Sequence, residues 1–185
     1  MASLTTSELT RFHPLENQLF AANNVLLKPV AAQTRLILRA SADQVELVGG
    51  ILGLILPTRP KTSTTNGPRT IMWLGPDEWL VFEKLKSSLH TMPKKLTEAQ
   101  CSVVDVSHRN TAIVIKGKSA ADVLNTGCPQ DLSLDVFPVG ACSRTVLGKS
   151  EIILLRLADD KFHVECWRSF SDYVWKYLVD GIKTL

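Results

Sequence analysis

Apolar residues fill positions 71–74 and 79–82, and Gly75-Pro76-Asp77-Glu78 stands between them. The pattern predicts two short strands joined by a tight turn, because Pro76 presets φ for the second turn position and Asp77 with Glu78 supplies a polar tip. Pairing Leu74 with Trp79 across the turn places Ile71, Trp73, Leu80 and Phe82 on one face and Met72, Leu74, Trp79 and Val81 on the other. Both faces are then apolar. A hairpin with one side in water alternates with polar residues, so this one is expected to be covered on both sides, by its own domain and by more of the chain or a partner. Trp73, Gly75, Pro76, Asp77 and Trp79 are therefore assigned a structural role.

Residues 1–24 are Ser/Thr-rich and then mixed, with Phe12, Pro14, Leu15, Leu19 and Phe20 as scattered apolar anchors; they read as an arm that orders on a partner, ahead of a domain over 25–185. Residues 33–40 form a strand pattern, with Leu36-Ile37-Leu38 between Arg35 and Arg39. Ser41 and Gln44 have capping-box spacing before a helix carrying Val45, Val48 and Leu52, which Gly53 ends. Gly49-Gly50 weakens that helix by about 1 kcal/mol per glycine unless close packing requires them. The polar stretch 61–68, with Asn66-Gly67 turn chemistry, is expected to be the most mobile loop.

One or two short helices broken at Pro93 are expected over 84–100, followed by strands at 103–106 and 112–115 around a turn at 107–110. A helix starting at Ser119, with Asp122 three residues on, stops at Gly127 before Pro129. A second hairpin, 151–157 and 161–167, turns at Asp159-Asp160. Pairing Leu157 with Phe162 gathers Ile153, Leu155, Leu157, Phe162, Val164 and Cys166 on one face, leaving Arg156, His163 and Glu165 on a half-solvated one. Residues 169–185 form a helix with a core stripe of Phe170, Tyr173, Val174, Tyr177 and Leu178. Trp175, Val179 and Ile182 make a second stripe, expected to carry a partner interface, the alternative being burial within the domain. The sum is an α+β fold with mostly antiparallel sheets and packed helices.

With 185 residues, 45% of them hydrophobic, the chain is long enough to bury roughly 70% of its unfolded surface without disulfides. Cys101, Cys128, Cys142 and Cys166 are too widely spaced for a C-x-x-C pair and read as buried free thiols. A net charge of +3 with scattered basic residues excludes a nucleic-acid stripe, and the apolar run 51–56 is far too short to span a bilayer. With no leader pattern at the start of the chain, a cytoplasmic location is expected.

Candidate chemistry is sparse. Asp105, Ser107 and His108 are the residue types of a hydrolase, but neighbours on a strand point to opposite faces. His13, His90 and His163 have no partner at ligand spacing and read as surface residues. Gly148-Lys149-Ser150 ends like a phosphate loop but precedes a strand, so it reads as a turn. Asp77 and Glu78 sit where solvent should ionise both. No catalytic, cofactor-binding or metal-binding residues are assigned.

The string Trp73-Leu74-Gly75-Pro76-Asp77-Glu78-Trp79-Leu80 resembles the characteristic hairpin of the gamma subunits of heterotetrameric sarcosine oxidases. Val104-Asp105-Val106-Ser107-His108-Arg109, Gly117-Lys118-Ser119-Ala120-Ala121 and Phe137-Pro138-Val139-Gly140 follow in that family's order. These last segments also look like the folate-binding aminomethyltransferases, typified by the glycine-cleavage T-protein, whose fold is therefore implied. That wider family carries adjacent aspartates, one catalytic and facing the folate, at positions that correspond here to Ser150 and Glu151. One carboxylate is lost and the other displaced by a methylene, and a misplacement of about 1 Å can cost about a hundredfold.

The resemblance implies a non-catalytic subunit of a complex that oxidatively demethylates sarcosine to glycine. The products are hydrogen peroxide and, with tetrahydrofolate, its methylene derivative. It further implies partners alpha, beta and delta, chiefly alpha, with FAD, FMN, NAD and tetrahydrofolate held by alpha and beta, zinc held by delta, and none by this chain. The alternatives are a free-standing folate-binding protein of the aminomethyltransferase type and an unrelated adaptor.

Overall fold

The computed structural model describes residues 13–84 and 88–185. In chain order the elements are β1 (Phe20–Ala22), β2 (Val25–Pro29), β3 (Gln33–Arg39), α1 (Val45–Leu52), β4 (Ser63–Asn66), β5 (Arg69–Gly75), β6 (Glu78–Lys84), α2 (Pro93–Glu98), β7 (Ser102–Asp105), β8 (Asn110–Gly117), α3 (Ala120–Asn125), β9 (Cys142–Leu147), β10 (Ser150–Ala158), β11 (Lys161–Trp167) and α4 (Ser171–Lys183). The strands form a six-stranded sheet ordered β1-β2-β8-β11-β10-β9 and a five-stranded sheet ordered β4-β5-β6-β3-β7. The described pairings are antiparallel.

Three apolar layers hold these elements together. Outside the first sheet, Leu27, Ile113, Ile152, Leu154 and Phe162 pack under Val123 and Leu124 of α3 and Val174 and Leu178 of α4. Outside the second, Leu36, Leu38, Ile71, Trp79 and Val81 pack under Val48 and Leu52 of α1 and Leu96 of α2. Between the sheets, Met72, Leu74, Leu80 and Phe82 meet Cys142, Ile153 and Leu155. The architecture is thus helix, sheet, sheet, helix, and it covers both faces of the two-tryptophan hairpin within the chain itself.

The register of that hairpin differs from the expected one through a bulge. Gly75 pairs with Glu78, but the next pair is Trp73 with Trp79, so Leu74 is an extra residue on its strand. A one-residue slip exchanges the faces. Ile71, Trp73, Trp79 and Val81 therefore face α1 and α2, while Met72, Leu74, Leu80 and Phe82 face the first sheet. The second hairpin repeats the device: Ala158 pairs with Lys161, then Arg156 with Phe162, leaving Leu157 unpaired and 38% exposed. Phe162, Val164 and Cys166 consequently share the helix-covered layer with Ile152 and Leu154. Arg156, His163 and Glu165, expected together on a half-solvated face, are 2%, 3% and 0% exposed, Arg156 beside Phe162 on the helix-covered side and His163 and Glu165 beside Leu155 and Ile153 on the side toward the second sheet.

Three further expectations are corrected. The stretch expected to be a mobile loop forms edge strand β4, closed onto β5 by Gly67-Pro68 between the pair Asn66 and Arg69. Of the segment expected as an arm, residues 1–12, Phe12 among them, lie outside the described residues; Leu15 is buried in the first core layer and β1 pairs with β2. Finally, α4 buries one stripe rather than two: Val174, Trp175, Leu178, Gly181 and Ile182. The buried face lies between the two expected stripes, because Gly181 lets the helix approach α3, where a Cβ would stand 3.2 Å from Val123 Cγ1.

Local signals act much as expected elsewhere, except at the caps. Neither Ser41 nor Ser119 makes a side-chain cap; a 3-10 turn at Ala42–Gln44 leads into α1 instead. Gly53 ends α1 at φ 66. Gly49 sits at a close approach, its Cβ position lying a tight 3.2 Å from Leu54 O, whereas Gly50 meets nothing within 4 Å. Pro93 opens α2 after the 3-10 turn Ser88–Thr91.

Candidate functional site

The hairpin of β5 and β6 anchors rather than reacts. Trp79 is 1% exposed, and its indole Nε1–H donates to Pro57 O at 2.7 Å. Trp73 is half-buried against the same layer. Pro76 and Asp77 form the turn beyond Gly75. At that tip the Asp77 carboxylate accepts from Arg39 Nη2 at 2.6 Å, and Glu78 accepts from Arg144 Nη2 at 2.5 Å, which ties the tip to β9.

The most unusual chemistry lies between the sheets. Arg35 of β3 donates through Nε to both carboxylate oxygens of Glu165 on β11, at 2.9 and 2.8 Å. The same carboxylate lies 2.8 Å from His163 Nε2, and the His163 ring stacks on Phe82 with centroids 4.9 Å apart and planes 3° from parallel. Arg35 Nη2 donates to Gln33 Oε1 at 3.1 Å. Burial alone would push the Glu165 carboxyl up, but the charge of Arg35 and the contact with His163 hold it below the usual carboxylate value. Arg35 is 1% exposed, so this is a fully desolvated ion pair with its hydrogen bonds satisfied from several sides. His163, expected at the surface, is part of it. His13 is half-buried, with Nε2 3.0 Å from Thr111 Oγ1, and the side chain of His90 lies outside the described residues.

Asp105, Ser107 and His108 do not converge. Ser107 Oγ accepts the Arg35 backbone N–H at 2.8 Å, while Asp105 Oδ1 accepts the Ser107 N–H at 2.8 Å; both contacts build the turn from β7 to β8, and His108 points to solvent. Ser150 is buried and Glu151 exposed, and the Ser150 hydroxyl donates to Glu151 O at 3.1 Å. Gly148 and Lys149 form a two-residue turn closed by the pair Leu147 and Ser150. The four cysteines are buried, and burial pushes the thiols of Cys142 and Cys166 up to about 12, far from thiolate chemistry. Among the described residues no group of three His, Cys, Asp or Glu is placed to hold a metal ion. No helix among them is long and apolar enough to cross a membrane.

The residues expected at a partner interface sit elsewhere. Trp175 is 8% exposed and Ile182 0%, both in the chain's own core, with Val179 packed against it. Phe170 and Tyr173, expected inside, are 40% and 36% exposed. The Arg35, His163 and Glu165 network was missed because charges in strands read as solvated. Its signal was available in Arg35 flanking an apolar strand and in His163 and Glu165 alternating with Val164 and Cys166.

These observations define a layered α+β protein in which Arg35, His163 and Glu165 join the two sheets. The chain belongs to the sarcosine oxidase gamma subunit family: residues 39–183 match the family described as Sarcosine oxidase, gamma subunit family. It is 29% identical over 163 residues to sarcosine oxidase subunit gamma of Corynebacterium sp. (strain U-96), covering 85% of this chain and 79% of that one. It is 29% identical to the same subunit of Arthrobacter sp., over 98% of this chain and 96% of the other. Among solved structures, a chain of the heterotetrameric sarcosine oxidase from Corynebacterium sp. U-96, in complex with pyrrole 2-carboxylate, superposes with a TM-score of 0.85 at 26% identity, covering 94% of this chain and 95% of that one. The glycine cleavage system aminomethyltransferase T from Bartonella henselae shares the fold, with a TM-score of 0.60 at 12% identity over 84% of this chain and 45% of its own.

Proposed function

We propose that this chain is the gamma-type accessory subunit of a heterotetrameric sarcosine oxidase and that it contributes surface rather than an active site. The observation that carries the reading is the superposition over 94% of this chain, at a TM-score of 0.85, on a chain of such an oxidase. Its side-chain chemistry agrees: Ser107, His163 and Glu165 are engaged in joining the two sheets, and the thiols are buried. In this reading FAD, FMN, NAD and tetrahydrofolate are held by alpha and beta subunits, and this chain packs chiefly on alpha. Sarcosine is demethylated to glycine elsewhere in the complex.

Co-expression with the other subunits of its own oxidase tests this. A tag on this chain should recover three other polypeptides and sarcosine-dependent peroxide formation. The isolated chain should give no heat on titration with tetrahydrofolate and no turnover of sarcosine. Recovery of the chain alone, or turnover by it, would overturn the reading.

A further inference from the structure

At one end of the sandwich the first sheet outruns the second. Glu165 and Ile153 form a cross-strand pair on the face toward the second sheet, 0% and 7% exposed. Two residues further along each strand on that face come Trp167 and Glu151, and both are exposed, as is Val146, paired with Glu151. Trp167 is 43% exposed and makes a T-shaped contact with Phe170, 40% exposed, at 6.3 Å between centroids. Arg109 lies over the indole, its Cζ 5.7 Å from the ring centroid, and the Arg168 N–H donates to Arg109 O at 2.7 Å, holding that turn against the ledge. Arg109 Nε donates to Asn110 Oδ1 at 3.1 Å, and no described carboxylate pairs with its guanidinium.

We propose that Trp167, Arg109 and Phe170 form the centre of the surface by which this chain docks on a larger subunit of its oxidase. The occupant is a segment that lays an apolar side chain on the indole and places a carboxylate against Arg109. This deepens the accessory-subunit reading and rests on it. An exposed tryptophan with an arginine lying over it has the composition of an interface hot spot, where Trp and Arg are the enriched residue types. The cation without a counter-ion sets the charge of what covers it. Glu151 stands at the rim.

The test is recovery of the complex from co-expression with a tagged gamma-type chain, comparing wild type, W167A, R109E and the control I55S on the distant face beside α1. Docking through the ledge predicts that W167A and R109E each lower recovery of the other subunits at least about tenfold. The melting temperatures of the isolated variants should stay within about 2 °C of wild type, a shift smaller than a 1 kcal/mol loss would give. I55S should recover the complex in full. Full recovery with R109E, loss confined to I55S, or cross-links joining Trp167 surfaces of two copies of this chain would overturn the proposal. If the wild-type chain recovers no oxidase subunit, the accessory-subunit reading itself falls, an outcome distinct from failure of the ledge alone.

Discussion

Arg35 and Glu165, 130 positions apart, meet through Nε and both carboxylate oxygens at 2.9 and 2.8 Å in the layer between the two sheets. The pair fixes β3 of one sheet against β11 of the other at a place where neighbouring contacts are apolar and indifferent to small slides. Removing one partner strands the other charge in the interior. E165A or R35A should therefore cost about 3–5 kcal/mol, whereas the matched pair R35M/E165L should cost much less. Chemical denaturation of the two singles and the double reads this directly; equal midpoints for all three would sink the argument.

The same pair sets an acid limit. The folded-state value of Glu165 is depressed, so its contribution is fully present above the ordinary carboxylate range and is lost as pH falls through the folded value. Unfolding free energy of the wild type should fall more steeply below about pH 4.3 than that of R35M/E165L, the pH being the unperturbed glutamate value. A wild type that gains stability relative to the double variant on acidification would have the sign reversed.

Trp79 and Trp73 should separate in their cost. Trp79→Ala removes a ring that is 1% exposed and leaves Pro57 O without its donor, so about 3–5 kcal/mol is expected. Trp73→Ala should lose less, since the ring is only half-buried. Matching denaturation midpoints for the two variants would contradict this ordering.

Alanine at both Ser150 and Glu151 should leave sarcosine turnover of the assembled complex within about twofold, equivalent to roughly 0.4 kcal/mol in the barrier. Initial rates at saturating sarcosine are sufficient. A hundredfold loss with the complex intact would assign chemistry to the start of β10.

Much of the fold was legible because both hairpins, the helix preceded by Ser41 and the helix opened by Pro93 announce themselves by turn chemistry and apolar spacing. Beside each hairpin turn the expected register holds, at Gly75 with Glu78 and at Ala158 with Lys161. It fails one residue later, where Leu74 and Leu157 bulge, since nothing in an apolar run marks which residue will be left unpaired. That slip hid the inter-sheet network by grouping His163 and Glu165 with Ile152 and Leu154 rather than with Ile153 and Leu155, which line the layer between the sheets. The stripe of Trp175 and Ile182 reads as surplus in the sequence for a different reason: Gly181 widens the buried face of α4, and a glycine adds no apolar signal of its own.

Native mass spectrometry of the oxidase purified through a tag on this chain tests the central claim most directly. An accessory subunit predicts a single species with one copy each of four different polypeptides, this chain among them. A mass corresponding to this chain alone, or an active oxidase from which it is missing, would contradict it.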